Sequence, residues 1–301
     1  MGHIITDLKE TFRRGNIFIQ LIYINVGIFV IGMLINVFLQ LFKYHTPDIF
    51  GIFALPASFI RFIHQPWSIL TYMFMHAGFL HILFNMLWLY WFGSLFLYFF
   101  SAKHLRGLYV LGGICGGLLY MLAYNVFPLF SHEVAGATLV GASASVLAIV
   151  AATAYREPNY RVQLFLFGAV RLKYLALVVI GIDVLSITSS NAGGHIAHLG
   201  GALAGLWFAA SLSKGIDLTG WINRLLDAFA SLFQKKTWKR KPKMKVHYGG
   251  GATSREKDYD YNAHKKAQSE EIDRILDKLK KSGYESLTTE EKKSLFDASK
   301  R

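Results

Sequence analysis

Ser143 lies in the run Val140-Gly141-Ala142-Ser143-Ala144-Ser145-Val146, a hydroxyl set between small residues at the mouth of an apolar segment. Much later, His195-Ile196-Ala197-His198-Leu199-Gly200-Gly201 opens another apolar segment. A serine and a histidine brought together in this way can carry out acyl transfer. The imidazole takes the hydroxyl proton while the oxygen attacks a carbonyl, and the histidine later returns the proton to the leaving group. Acyl transfer also needs donors aimed at the oxyanion that develops. His81 and Asn85 are four residues apart and so lie on one helical face. With the backbone N–H of Ser143 they form a candidate donor set. Ser145 is a rival nucleophile, but it sits about 200° around a helix from Ser143, so only one of the two hydroxyls can face His198.

The elements that must position these residues are membrane helices. Apolar residues make up 53% of the 301 positions and charged residues 17%, and the apolar ones fall in runs longer than the roughly 18 residues that mark a bilayer span. Six spans are expected: Ile17 to Phe42, Phe79 to Phe100, Leu105 to Phe127, Thr138 to Tyr155, Leu172 to Thr188 and Ile196 to Leu212. Residues 1–16 form a basic N-terminal segment, 17–212 the membrane domain and 213–301 a tail. Basic residues set the orientation. With a cytoplasmic N-terminus, Lys9, Arg13, Arg14, Lys103, Arg106, Arg156, Arg161, Arg171 and Lys173 lie inside and only Lys43 and Arg61 outside, so both termini are expected in the cytoplasm. The first span lacks a cleavage site and reads as retained.

In this topology the second, fourth and sixth spans all begin at the outer face. His81, Asn85, Ser143 and His198 then share one depth, within roughly 10 Å of their helices' outer ends. Polar groups inside a membrane are costly and mark function. Gly201 and Gly205 share a face with His198 and form a small-xxx-small pair, and Gly141, Ala144, Ser145, Ala148 and Ala152 make a small surface beside Ser143. Faces of this kind let two helices approach closely. Asp183, near the outer end of the fifth span, reads as a helix–helix contact rather than a partner for a histidine. His76 and His195 read as interfacial residues. A zinc centre built from His195, His198 and His76 or His81 is disfavoured because the H-E-x-x-H helix of zinc proteases is absent, so neither metal nor cofactor is expected. Gly193-Gly194 is expected to let a loop over the site move.

At these motifs the chain resembles the rhomboid family of intramembrane serine proteases. Gly141-Ala142-Ser143-Ala144 matches the family's G-x-S-x on the fourth span. Ala197, His198, Gly201 and Gly205 match A-H-x-x-G-x-x-x-G on the sixth, and His81 and Asn85 match H-x-x-x-N on the second. The resemblance covers roughly residues 60 to 212. It implies an all-α bundle of six transmembrane helices, with a membrane-embedded first loop at residues 43–78 and a polar cytoplasmic tail. It also implies that Ser143 is the nucleophile, that His198 is the general base, and that His81 and Asn85 belong to the oxyanion hole with Ser143. The implied substrates are single-pass transmembrane proteins cut near the outer face, and no acidic partner for the histidine is required. A bacterial plasma membrane is the expected location. The chain departs from the family pattern at Ala144, where many relatives have glycine. Leu147 stands where some place a tyrosine against the histidine, and Ser68 follows Trp67 where arginine is frequent.

Two other function classes are weaker readings. A catalytically silent relative that binds membrane clients has no need of both Ser143 and His198. A transporter needs polar residues through the whole bilayer, whereas here they cluster at outer ends. The net charge of +13 comes mainly from the tail, which holds 21 of the 32 Lys and Arg and 13 of the 19 Asp and Glu after Ser213. Seven of the eleven residues from Lys235 to Lys245 are basic, a patch suited to anionic lipid headgroups rather than nucleic acid. Trp221, Leu225, Leu226, Phe229, Leu232 and Phe233 make an amphipathic stretch that can lie on a membrane. Ile272, Ile275, Leu276 and Leu279 repeat at helical spacing, and Thr288 with Glu291 signals a capped final helix. The tail's partner is not identifiable from these features. Cys115, the single cysteine, permits no intramolecular disulfide.

Overall fold

The computed structural model describes residues 12, 15–43, 49–164, 168–233 and 253–299. The basic stretch Lys235 to Lys245, and the N-terminal segment apart from Phe12, Gly15 and Asn16, lie outside the described residues. The chain forms two compact units, Met1–Lys235 and Lys236–Arg301.

The first unit is built on six apolar helices: α1 (Ile17–Leu41), α2 (Phe79–Phe99), α3 (Ala102–Val126), α4 (Ser143–Arg156), α5 (Leu172–Leu185) and α6 (Ala192–Leu212). Among the described residues four of them, α1, α2, α3 and α6, are long and apolar enough to cross a membrane. α4 and α5 have 14 residues each, about 21 Å of helix at 1.5 Å per residue, against a hydrocarbon thickness of about 30 Å. α1 carries Val30, Ile31, Leu34, Val37, Phe38 and Leu41 on exposed surface. In a bilayer these residues face lipid.

α4 is shorter than its apolar run suggests because the run changes structure partway. Thr138–Leu139 pairs antiparallel with Leu55–Pro56 of the first loop, and the helix begins only at Ser143. Gly141 makes the bend at φ +128°, a backbone conformation open to glycine and strained for side-chain-bearing residues. A second ladder, Arg161–Leu164 with Gly168–Arg171, joins α4 to α5. The described residues are therefore not purely helical.

The first loop is packed into the bundle. It contains short helices at Ile49–Phe53, Phe59–His64 and Ser68–Thr71 and a 3-10 turn at Tyr72–Phe74. Leu55, Ala57, Tyr72 and Met73 are buried. The Tyr72 hydroxyl donates to Gly113 O at 2.6 Å, and the Tyr109 hydroxyl donates to Met73 O at 3.0 Å. Arg61 Nη1 donates to Ala135 O at 3.0 Å and so ties the loop to the connection before α4. Ser68 is buried.

Past α6, α7 (Gly220–Phe233) docks against the start of α3. Asn223 donates to Lys103 O at 3.0 Å, and Arg106 reaches both Asn223 Oδ1 (2.9 Å) and Asp227 (2.8 Å). Trp221, Leu225, Phe229 and Leu232 lie on exposed surface, while Ile222 is buried and Leu226 packs on the core. The second unit holds α8 (Thr253–Ser282) and α9 (Thr289–Ser299), with Ile275 and Leu287 buried between them. Thr288 caps α9: its N–H donates to Glu291 Oε2 at 2.8 Å, and the Glu291 N–H donates back to Thr288 Oγ1 at 3.3 Å.

Candidate active site

The core of the site is the contact between α4 and α6. A Cβ built on Gly201 would strike Ala144 O, and one on Gly205 would strike Ala148 O. On α3, Gly116 is closed in the same way by Ala144 and Ala197, and Gly112 by Ala148. Helices that meet backbone to backbone cannot slide without losing this fit. Ser143 directly precedes Ala144, and His198 lies one turn before Gly201, so this packing brings them to the same end of the bundle. Both line a cavity of about 240 Å³, together with Asn85, Asp183, Leu147 and Trp88. Ser143 is the first residue of α4. Its N–H is among the first of the helix, which have no intrahelical acceptor.

Ser145 turns the other way. It is fully buried, its hydroxyl lies 3.9 Å from Met73 Sδ, and a Cβ on Gly113 of α3 would come within 2.9 Å of its Oγ.

His81 reaches the same place from α2. A Cβ on Gly141 would lie 2.8 Å from His81 Nε2 and 3.6 Å from Ser143 Oγ, so the absence of a side chain at Gly141 makes room for the imidazole. His81 Nδ1 accepts from the Ala77 N–H at 3.3 Å. A neutral ring that accepts at Nδ1 carries its proton on Nε2. His81 therefore presents a donor beside Ser143. Asn85 lines the cavity, but its Nδ2 donates to His81 O at 2.8 Å on its own helix. Its Oδ1 is buried without a hydrogen-bond partner among the described residues. One hydrogen of the amide is thus held by α2, and the second is left for the cavity. His76 lies edge-on to His81, with ring centroids 5.2 Å apart, and does not join His195 or His198.

Asp183 is more than the interhelix contact expected of it. It is 3% exposed, and its Oδ1 lies 2.8 Å from both His198 Nδ1 and His195 Nδ1. A carboxylate can only accept, so both imidazoles carry a proton on Nδ1 and, when neutral, a lone pair on Nε2. His198 thus has an acidic partner that the family resemblance did not call for, and His195 belongs to the cluster rather than to the interface. The signal was present in the sequence as a carboxylate in an otherwise apolar helix end, which needs a partner in a membrane. The Gly193-Gly194 pair is likewise not a loop hinge. Both residues lie inside α6, where a Cβ would meet the Tyr120 ring at 2.8 Å and the Asn191 side chain at 2.5 Å, respectively.

Residues 63–215, which contain all of these groups, match the Rhomboid domain, and residues 255–301 match a family of unknown function, DUF6576. RHOMBOID-like protein 12, mitochondrial, of Arabidopsis thaliana is 31% identical over 157 residues, which is 49% of this chain and 47% of that protein. The chain therefore spans about half the length of this curated relative.

Proposed function

Because the chain belongs to the rhomboid family, we propose that it is an intramembrane serine endopeptidase cutting single-pass transmembrane proteins near the outer membrane face. The observation that carries this reading is the shared cavity of Ser143 and His198, with the His198 Nδ1–H held by Asp183 so that Nε2 is free to act as a base. Ser143 Oγ attacks the scissile carbonyl carbon as its proton passes to His198 Nε2. The negative charge on the carbonyl oxygen is met by the Ser143 N–H, by His81 Nε2–H and by the free hydrogen of the Asn85 amide. The C–N bond then breaks, the proton moves from His198 to the leaving amine, and an ester remains on Ser143. Water hydrolyses that ester with His198 again accepting and returning the proton. Asp183 orients the ring and stabilises the imidazolium that forms.

All six apolar helices are embedded in the bilayer, the short α4 and α5 included, and both termini lie on the cytoplasmic side of a bacterial-type plasma membrane. The supporting fact is the excess of basic residues in the connections assigned to that side. Substrate enters past α5, whose Leu177, Val178, Ile182 and Leu185 lie on exposed surface. The apolar face of α7 and the basic stretch after it rest on anionic lipid.

The test is cleavage of a single-pass model substrate by the full chain in liposomes. Ser143→Ala and His198→Ala should each lose at least the roughly 10²–10⁴-fold that acid–base catalysis contributes, and a fluorophosphonate should label Ser143 and not Ser145. Full activity in either variant overturns the pairing. A wild-type chain that binds the substrate without cutting it belongs instead to the silent, client-binding class.

A further inference from the structure

Asp183, His195 and His198 offer one carboxylate oxygen and one imidazole nitrogen from each of the two histidines, all within 4.8 Å of one another. The Ser–His chemistry uses only part of this cluster. His195 has no role in it, yet its Nδ1 converges on the same Oδ1 at 2.8 Å that His198 occupies. Asp183 Oδ2 is buried without a hydrogen-bond partner among the described residues, although a buried carboxylate with idle lone pairs is costly. Two imidazoles and one carboxylate are a donor set suited to zinc and similar divalent ions. Zinc bonds of about 2.0–2.2 Å to nitrogen and oxygen put tetrahedral ligands about 3.3 Å apart. Each histidine nitrogen therefore needs to part from Oδ1 by only about 0.5 Å beyond its 2.8 Å hydrogen bond, and the two nitrogens must settle at the same spacing from one another. Asp183 and His198 border the cavity, which has room for a water as a fourth ligand.

We propose that this cluster is a divalent-cation site, of which zinc is the best fit, and that metal bound there switches off the histidine of the proposed catalytic pair. The switch is a change of tautomer. With Asp183 as partner, His198 keeps its proton on Nδ1 and a lone pair on Nε2, in the cavity it shares with Ser143. A metal on Nδ1 needs that nitrogen's lone pair, so the Nδ1 proton leaves and Nε2 gains one, and the ring stays neutral. His198 then offers Ser143 an N–H instead of an acceptor, and the serine proton has nowhere to go. His195 undergoes the same exchange. The inhibitory consequence rests on the protease reading above, whereas the binding does not.

Binding is therefore read on a tag-free, full-length Ser143→Ala chain in detergent, stripped with a chelator and titrated with Co²⁺ for its visible absorption and with Zn²⁺ by calorimetry. One ion per chain is expected at the cluster, with tetrahedral Co²⁺ bands and a rise in the unfolding midpoint as Zn²⁺ is added. Adding His195→Gln or Asp183→Asn should weaken binding by at least ~100-fold, since losing only an outer partner of a metal ligand already costs roughly 10–100-fold. In the cleavage assay Zn²⁺ should inhibit the wild-type chain reversibly. His195→Gln, scored against its own metal-free rate, should lose the inhibition. No Co²⁺ bands, or binding unchanged in folded His195→Gln and Asp183→Asn chains, places any ion elsewhere and overturns the proposal. Inhibition equally strong in His195→Gln overturns the switch. A wild-type chain that binds zinc at the cluster but never cleaves removes the protease reading and leaves the metal site standing.

Discussion

α4 and α5 both face α6, and they do so by opposite means. α4 meets α6 through backbone: the carbonyls of Ala144 and Ala148 lie where Gly201 and Gly205 lack side chains, and every residue from Ala144 to Ala154 is buried. α5 buries only Leu172, Ala176 and Asp183, and its last turns are held to α6 by one carboxylate shared between two histidines. Lipid is as apolar as leucine, so the exposed side chains of α5 gain little from closing on the bundle. Ser143 and His198 are thus set by a rigid, shape-matched contact, while the wall beside them hangs on a polar tether. A protease acting on membrane helices needs that combination: fixed reacting groups, and a side through which a bulky substrate can pass.

The largest effect is expected at the glycines. Gly201→Val should force α4 and α6 apart, because the added atoms meet main chain that has no rotamer to change. We expect a loss of stability at or above the 1–3 kcal/mol usual for overpacking, together with loss of cleavage. Unfolding of the detergent-solubilised protein and the liposome assay read the two effects. A chain that kept both would show that the α4–α6 contact does not set the site.

The next largest effect is expected at the tether. Asp183→Asn keeps the size of the side chain but can donate to Nδ1 as readily as accept from it, so His198 spends part of its time as the wrong tautomer. kcat should fall by about 10–100-fold, part of what general-base catalysis contributes, with KM nearly unchanged. The pH dependence of kcat should shift as well. A purely structural Asp183 would instead lower the unfolding midpoint and leave that pH profile in place.

These two regions also differ in how far they could be read from the sequence. The α4–α6 contact is written in one dimension, since small residues every third or fourth position name the faces that touch, and Ser143 and His198 ride on them. The tether is not, because nothing in residue spacing shows that the last turns of α5 meet the start of α6. The same limit explains the start of α4. Thr138 and Leu139 continue the apolar run, but their pairing with Leu55 and Pro56 is a contact across the chain that periodicity does not carry. Gly193-Gly194 misled for the opposite reason. Paired glycines suggest a hinge, whereas here Tyr120 and Asn191 fill the space their side chains would take.

A smaller effect sharpens the picture of α5. Leu177 and Leu185 are 64% and 84% exposed. Replacing both with alanine should change stability by no more than about 0.5 kcal/mol each, as for surface positions generally. Cleavage of a bulky substrate should be equal or faster. Slower cleavage with unchanged stability would mean that α5 binds the substrate rather than yielding to it.

The smallest effect belongs to the second unit, where a contact is electrostatic rather than steric. Glu291 accepts from Lys278 Nζ at 2.8 and 3.1 Å and from the Thr288 N–H at 2.8 Å. The Lys278 ammonium first, and the cap second, hold its carboxyl down to about 2 from an ordinary 4.5. A carboxyl depressed by folding contributes its stabilisation in full above the unfolded value and loses it as protons bind. The α8–α9 pairing should therefore be unchanged from neutral pH down to about 4.5 and loosen progressively from there toward 2. Salt should weaken it, since the pair is only partly buried. Glu291→Gln should show the loosened state at every pH. Hydrogen exchange over residues 272–299, corrected for its intrinsic pH dependence, reads this directly. Equal protection in the two chains at pH 7 would show that this ion pair does not hold the helices together.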